Sequence, residues 1–134
     1  MKILLDTHII LWALTNDERL SQKAEMIISK TENEIWYSAA SVWEVTIKYM
    51  NHPDHMPISG KQLSQYCHRA GYQMLPVKEC HVHALERLRR MENAPMHKDP
   101  FDRILISQAK AENMMFITHD SLLPWYREEC IIAV

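Results

Sequence analysis

The chain has 134 residues, room for one domain built on one continuous core. Apolar residues make up 47% and charged residues 24%, and the formal charge is −2, a globular balance that argues against a protein held to nucleic acid by bulk charge. Two glycines, Gly60 and Gly71, exclude a glycine-rich phosphate loop, and the longest apolar run, Ile9–Leu14, is too short to span a membrane.

In chain order, Lys2–Leu5 reads as a short, fully buried strand, followed by helices over Thr7–Leu14 and Leu20–Lys30. Leu20, Ala24, Ile27 and Ile28 share one face of the second helix. Met1–Leu5 runs directly into Asp6 and His8 and does not read as a signal peptide, so the expectation is a cytoplasmic protein. Glu34–Ser38 is a second strand and Ala39–Met50 a third helix, ended by Asn51, His52 and Pro53. His52–Gly60 carries two prolines and is a loop. Lys61–Ala70 is helical and closed by Gly71, Gln73–Val77 is a third strand, and Glu79–Met91 a helix. After a loop over Asn93–Lys98 comes a strong helix, Pro100–Glu112, stopped by Asn113. Met114–Thr118 is a fourth strand and Ile131–Val134 a fifth. Strands alternating with helices predict an α/β fold: one domain over residues 1–134, with a parallel sheet of about five strands and helices on both faces. Ligands of such sheets bind beyond the carboxyl ends of the strands.

Acidic residues gather at that edge. Asp6 follows the first strand, Glu44 lies in the first turns of the helix after the second, and Asp120 lies two residues past the fourth. Asp99 and Asp102 start the Pro100–Glu112 helix, whose preceding strand the sequence does not place. Carboxylates sharing a small site raise each other's pKa, and a divalent cation relieves the conflict. Oxygen donors without Cys or His suit Mg²⁺ or Mn²⁺ rather than Zn²⁺. Each acid alone has a structural reading. Asp99 can be the N-cap ahead of Pro100, and Asp102 then sits at N3. Ser41-Val42-Trp43-Glu44 matches a capping box, and Asp120 can cap Ser121–Trp125. Asp6 is the hardest to explain structurally, because a buried strand gains nothing from it.

Three cysteines, Cys67, Cys80 and Cys130, form no C-x-x-C pair and read as reduced thiols in the core. His81 and His83, two apart on one helix, do not face the same way, so they read as surface histidines rather than zinc ligands. Arg87, Arg89 and Arg90 read as a solvated helix face. The four tryptophans read as core or interface residues rather than base-stacking platforms. Lys48, Lys98 and Arg103 each lie within four residues of a candidate ligand and are placed to touch a phosphate.

Four blocks then stand out: Leu4-Leu5-Asp6-Thr7-His8, Ser41-Val42-Trp43-Glu44, His97-Lys98-Asp99-Pro100-Phe101-Asp102-Arg103 and Ile117-Thr118-His119-Asp120. Together, in this order and spacing, they resemble the signature blocks of PIN-domain ribonucleases, most closely the VapC-type toxins of bacterial toxin–antitoxin pairs. The resemblance implies a five-stranded parallel sheet, Mg²⁺- or Mn²⁺-dependent endonuclease activity on RNA, a homodimer and a cognate antitoxin. Asp6, Glu44, Asp102 and Asp120 match the family's acidic quartet. Asp99 is typical of the D-P-F-D-R subgroup and is a further candidate ligand. Thr118 matches a polar position beside the fourth acid, and Thr7, Lys48, Lys98, Arg103 and Thr118 are the candidate substrate contacts. In the family an antitoxin segment lies between early helices and blocks the acidic edge, which points to Trp43, Ile47 and Met50, with Met26 and Met56 nearby. The other reading of these helical positions is that they face the core. Two further readings stand beside the enzyme: a PIN-type binding module without catalysis, and a receiver-like phosphoacceptor, which would need a Lys beyond the last strand.

Overall fold

Three of the four residues of β1 (Lys2–Leu5) are buried, as a strand covered on both faces requires. Ile3 and Leu5 belong to one core cluster and Leu4 to the other, the two-residue period of a strand dividing its side chains between faces. β4 (Met115–Thr118) repeats the division, with Met115 and Ile117 on the first face and Phe116 on the second. The structure is a computed structural model describing residues 1–134. β1, β2 (Glu34–Ser38), β3 (Gln73–Leu75), β4 and β5 (Ile131–Ala133) form one parallel sheet in the order β3-β2-β1-β4-β5.

The first face is covered by α1 (Thr7–Thr15), α2 (Gln22–Ser29), α3 (Ala39–Asn51) and α4 (Gly60–Arg69), through residues such as Ile9, Ile10, Ala24, Val45, Leu63 and Cys67. The second is covered by α6 (Pro100–Ala111), through Leu105, Ile106 and Ala109, with α5 (Glu79–Ala84) against α6. α3 and α4 meet closely at Gly60: a Cβ there would lie 1.8 Å from Thr46 Oγ1 and 3.0 Å from the Val42 carbonyl. Ser59 and Gln62 close a reciprocal capping box at the same point. No helix is long and apolar enough to cross a membrane.

Several expectations need correction. The helix expected over Glu79–Met91 ends at Ala84 and passes through a 3₁₀ turn, Leu85–Arg87, into extended chain. Arg90 there forms an antiparallel bridge with Tyr126, and its guanidinium lies 4.9 Å over the Tyr126 ring. The arginine run is therefore a strut against the last loop rather than a helix face. α5 begins at Glu79 as expected, but the face it buries carries His81, so His81 is no surface histidine and Cys80 is exposed rather than in the core. His81 is fully buried, accepts the Lys78 N–H at Nδ1 and places Nε2 2.8 Å from Glu112. Met56 is buried in the first core cluster and is no surface residue.

Candidate active site

The chain steps from β1 outward to β2 and β3, then returns to lay β4 on the other side of β1. The crevice beyond the carboxyl ends of β1 and β4 is therefore the topological switch point, where open α/β sheets place their ligands. Asp6 follows β1 and Asp120 follows β4 by two residues. The last residue of β4, Thr118, ties them together. Its hydroxyl donates to Asp6 Oδ2 at 2.6 Å and accepts the Asp120 N–H at 3.0 Å.

Asp6 does have a structural role that sequence reading missed. It is the N-cap of α1 and accepts the Thr7 N–H at Oδ1, 2.8 Å away. Burial raises its pKa, opposed by these two hydrogen bonds. Thr7 is itself buried, and its hydroxyl donates to Ser41 Oγ at 2.9 Å, bracing α1 against α3.

Glu44 does not cap its helix. α3 starts at Ala39, and the cap is Ser38, whose hydroxyl accepts the Ala40 N–H. Glu44 is instead carried into the second turn and buried there. Lys48, one turn on, places Nζ 2.8 Å from Oε2, while Oε1 is buried with no partner. A native buried carboxylate oxygen without a donor is uncommon and calls for an explanation.

The strand preceding Asp99 and Asp102 is β3. α6 starts at the same carboxyl edge and runs back across the second face. Asp99 is exposed and caps α6, accepting the N–H groups of Phe101 and Asp102 at 2.9 and 3.2 Å. Asp102 is buried. Its pKa is pushed up to about 8, first by burial and then by the charges of Asp6, Asp99, Asp120 and Glu44. The other four acids are thus within electrostatic reach of Asp102.

His97, which the sequence reading left without a role, holds Asp102 in place. Nε2 lies 3.1 Å from Asp102 Oδ2 and Nδ1 2.8 Å from the Tyr126 hydroxyl. Burial lowers the His97 pKa and keeps the ring neutral. Nε2 faces Asp102 and Nδ1 faces the Tyr126 hydroxyl, and the direction of both hydrogen bonds follows the protonation of Asp102. The signal was present in the His97–Arg103 block, but only the Arg90–Tyr126 bridge brings Tyr126 beside it. Asp120 completes the edge with an Asx turn, accepting the Leu122 N–H at 2.8 Å, and His97, Asp102 and Asp120 offer donor atoms within 4.8 Å of one another.

The donor set fits a hard divalent cation. The orphaned Glu44 Oε1 and the carboxylates of Asp6, Asp102 and Asp120 are oxygen donors, and both nitrogens of His97, the buried imidazole at this edge, are already engaged. Of the basic candidates, Lys48 is on Glu44 and Lys98 is exposed. Arg103 turns toward His97 and Tyr126, whose titration it biases, and leaves its Nε buried without a partner. Trp43 and Met50 are 63% and 74% exposed and Ile47 is half-buried, so these three do not all face the core. The Trp43 ring meets Phe101 edge-to-face at 5.0 Å.

A model of the PIN domain family matches residues 3–126. No curated protein sequence matches the chain. Among solved structures, a chain of VapBC2 from Rickettsia felis, bound to a DNA fragment from its promoter, aligns at a TM-score of 0.67 and 17% identity. That alignment covers 100% of this chain and 98% of the other. FitAcB from Neisseria gonorrhoeae aligns at 0.55 and 15% identity, over 90% of this chain and 88% of the other. FitAB bound to the IR36 DNA fragment aligns at 0.58 and 16%, over 98% and 93%. At such identities these likenesses speak for the fold. The family match extends over nearly the whole length, and the chain belongs to the PIN domain family.

Proposed function

We propose that residues 1–134 form one nuclease domain, a Mg²⁺- or Mn²⁺-dependent endoribonuclease that acts as the toxin of a type II toxin–antitoxin pair in the cytoplasm. The observation that carries the reading is Glu44 Oε1, a buried carboxylate oxygen without a partner, beside Asp6, Asp102 and Asp120 at the switch point of the sheet. Asp6, Glu44, Asp102 and Asp120 would hold the cation. A cation there supplies Lewis acidity toward the attacking water and the scissile phosphate. Thr118 holds Asp6 and the Asp120 backbone in register, and His97 aims Asp102. Lys48 offsets the Glu44 charge and, with exposed Lys98, adds positive potential where a phosphodiester would lie. Asp99 serves as the helix cap rather than as a ligand, Arg103 steadies the His97–Tyr126 pair, and Thr7 positions α1 against α3.

The partner is a cognate antitoxin, and the toxin acts as a homodimer. VapBC2 is solved bound to a DNA fragment from its promoter and FitAB bound to the IR36 DNA fragment, and the exposed stripe of Trp43 and Met50 beside half-buried Ile47 offers an apolar surface next to Glu44. The deciding experiment is incubation of the purified protein with single-stranded RNA in Mn²⁺, in Mg²⁺ and in EDTA. Cleavage is expected with either metal and none in EDTA; equal cleavage in EDTA, or none anywhere, overturns the reading.

A further inference from the structure

At Asp6 and Asp120 the surface sinks into a depression of about 310 Å³ lined by Asp6, His8, Trp12, Arg19, His119 and Asp120, without Glu44 or Asp102. Its volume is at the lower end of ligand pockets. Trp12 is the hub. The Arg19 guanidinium lies 5.3 Å over its ring, His119 meets it edge-on at 5.4 Å, and His8 is tilted against it at 5.9 Å.

Two of these groups are pinned. Asp17 accepts from Arg19 Nε and Nη2 at 3.0 and 2.8 Å, fixing the plane of a guanidinium whose side chain is still 69% exposed. His119 Nδ1 donates to the Val134 carbonyl at 2.7 Å. Fold stability does not require an exposed arginine to be held by two hydrogen bonds above an indole, because exposed ion pairs contribute little. Such an arrangement presents a rigid flat surface.

The ligand chemistry follows from charge. Asp6 and Asp120 line the depression and Asp17 neutralises Arg19, so a phosphate would meet a net negative wall. An uncharged flat heterocycle carries no charge for those acids to repel and can lie against the ring faces, ring edges and guanidinium plane. We propose that this depression is a nucleobase subsite, taking one unstacked base of single-stranded RNA next to the phosphodiester that the proposed cation would meet, with Arg19 as the stacking surface and Trp12 as its support. The inference rests on the RNA-cleavage reading for the identity of its ligand. Bases in a duplex are already stacked, so the subsite selects single strands.

The test uses a fluorescein-labelled 12-nucleotide single-stranded RNA. Binding is measured with Mn²⁺ in an Asp102→Asn background that leaves the depression intact, and cleavage in an otherwise wild-type chain. Arg19→Ala should weaken binding and raise KM about tenfold, the loss of one stacked base, with kcat within twofold and the melting temperature unchanged. Trp12→Phe, which keeps an aromatic support, should retain most of the binding. An abasic nucleotide walked through the RNA should reproduce the loss at one position beside the cleavage point. At that position Arg19→Ala should cost nothing further. The proposal is overturned if Arg19→Ala binds RNA as well as the parent, if its penalty persists on every abasic RNA, or if it disturbs only binding to a protein partner. RNA binding that depends on Arg19 without any wild-type cleavage would sink the nuclease reading and keep the subsite; a protein that binds no RNA sinks both.

Discussion

Asp6 and Asp99 are both N-caps, yet their surroundings separate them. Asp6 is buried with its second oxygen on Thr118, whereas Asp99 is exposed and makes only its two cap bonds. Asp99→Ser should therefore keep cleavage and stability, since Ser is an equally good cap. Asp6→Asn and Asp102→Ser should each abolish Mn²⁺-dependent cleavage in a folded chain, checked by circular dichroism beside the nuclease assay. Asp102 also makes stability depend on pH. Its carboxyl keeps its proton up to about pH 8 in the fold but loses it near 3.8 when the chain unfolds. The native state then binds more protons across that window, so stability falls as pH rises from about 4 to about 8. His97, lowered by burial, acts with the opposite sign below its ordinary 6.5. In EDTA the melting temperature should drop by several degrees, about 5 °C, between pH 5 and pH 8, and Asp102→Asn should flatten most of that slope. A slope unchanged in Asp102→Asn would show that other groups carry it.

At the scale of elements, the approach of α3 and α4 determines where Glu44 sits. Thr46, which donates to the Val42 carbonyl, occupies the space a Cβ on Gly60 would need. Gly60→Ala should cost about 2 kcal/mol, the usual penalty of overpacking, read as an earlier urea midpoint with an unchanged slope. Pairing it with Thr46→Ser, which removes a methyl group and keeps the hydroxyl at its place, should restore little. Thr46→Ala removes the clashing oxygen and should recover most of the loss. The face of α3 away from the core presents the second element-scale outcome. Met50→Glu or Ile47→Glu should weaken the complex with the antitoxin while leaving RNA cleavage intact, as judged by co-purification and nuclease assay. Normal binding by both variants would place the partner surface on another helix.

For the molecule as a whole, a cation held by the buried acids, as proposed above, would make folding and cation binding one equilibrium. A cation that binds only the folded chain adds about 2.7 kcal/mol at one hundred times its Kd. Mn²⁺ should accordingly raise the melting temperature of the wild-type chain by about 8 °C at saturation, and raise that of Asp6→Asn or Glu44→Gln far less. A wild-type melting temperature unmoved by millimolar Mn²⁺ would remove the cation from the site. The same molecule carries acids in the middle of one sheet edge, an exposed Trp43 and the Trp12–Arg19 depression, a layout on which a single strand would lie across the proposed ligands.

The amino-acid order determined the alternation of strands and helices, because short apolar runs closed off by turn or capping residues and longer 3.6-residue stripes differ in length and period. It also determined that Asp6, Glu44 and Asp120 lie at the carboxyl edge, since in a parallel sheet that edge is where every strand hands over to its helix. Local pattern failed where a distant segment decided. Ser41-Val42-Trp43-Glu44 reads as a capping box, but Ser38 already caps α3 and Ser41 is taken by Thr7 from α1. The helix expected to Met91 stops early because Arg90 pairs with Tyr126, 36 residues on. His97 gains its role only from that same bridge, and the exposure of Cys80 depends on which face α5 buries. The orphaned oxygen of Glu44 and the ring cluster on Trp12 belong wholly to the tertiary structure. Spacing along a chain specifies which residues share an element's face, and only packing decides which of those faces meet another part of the chain and which stay open.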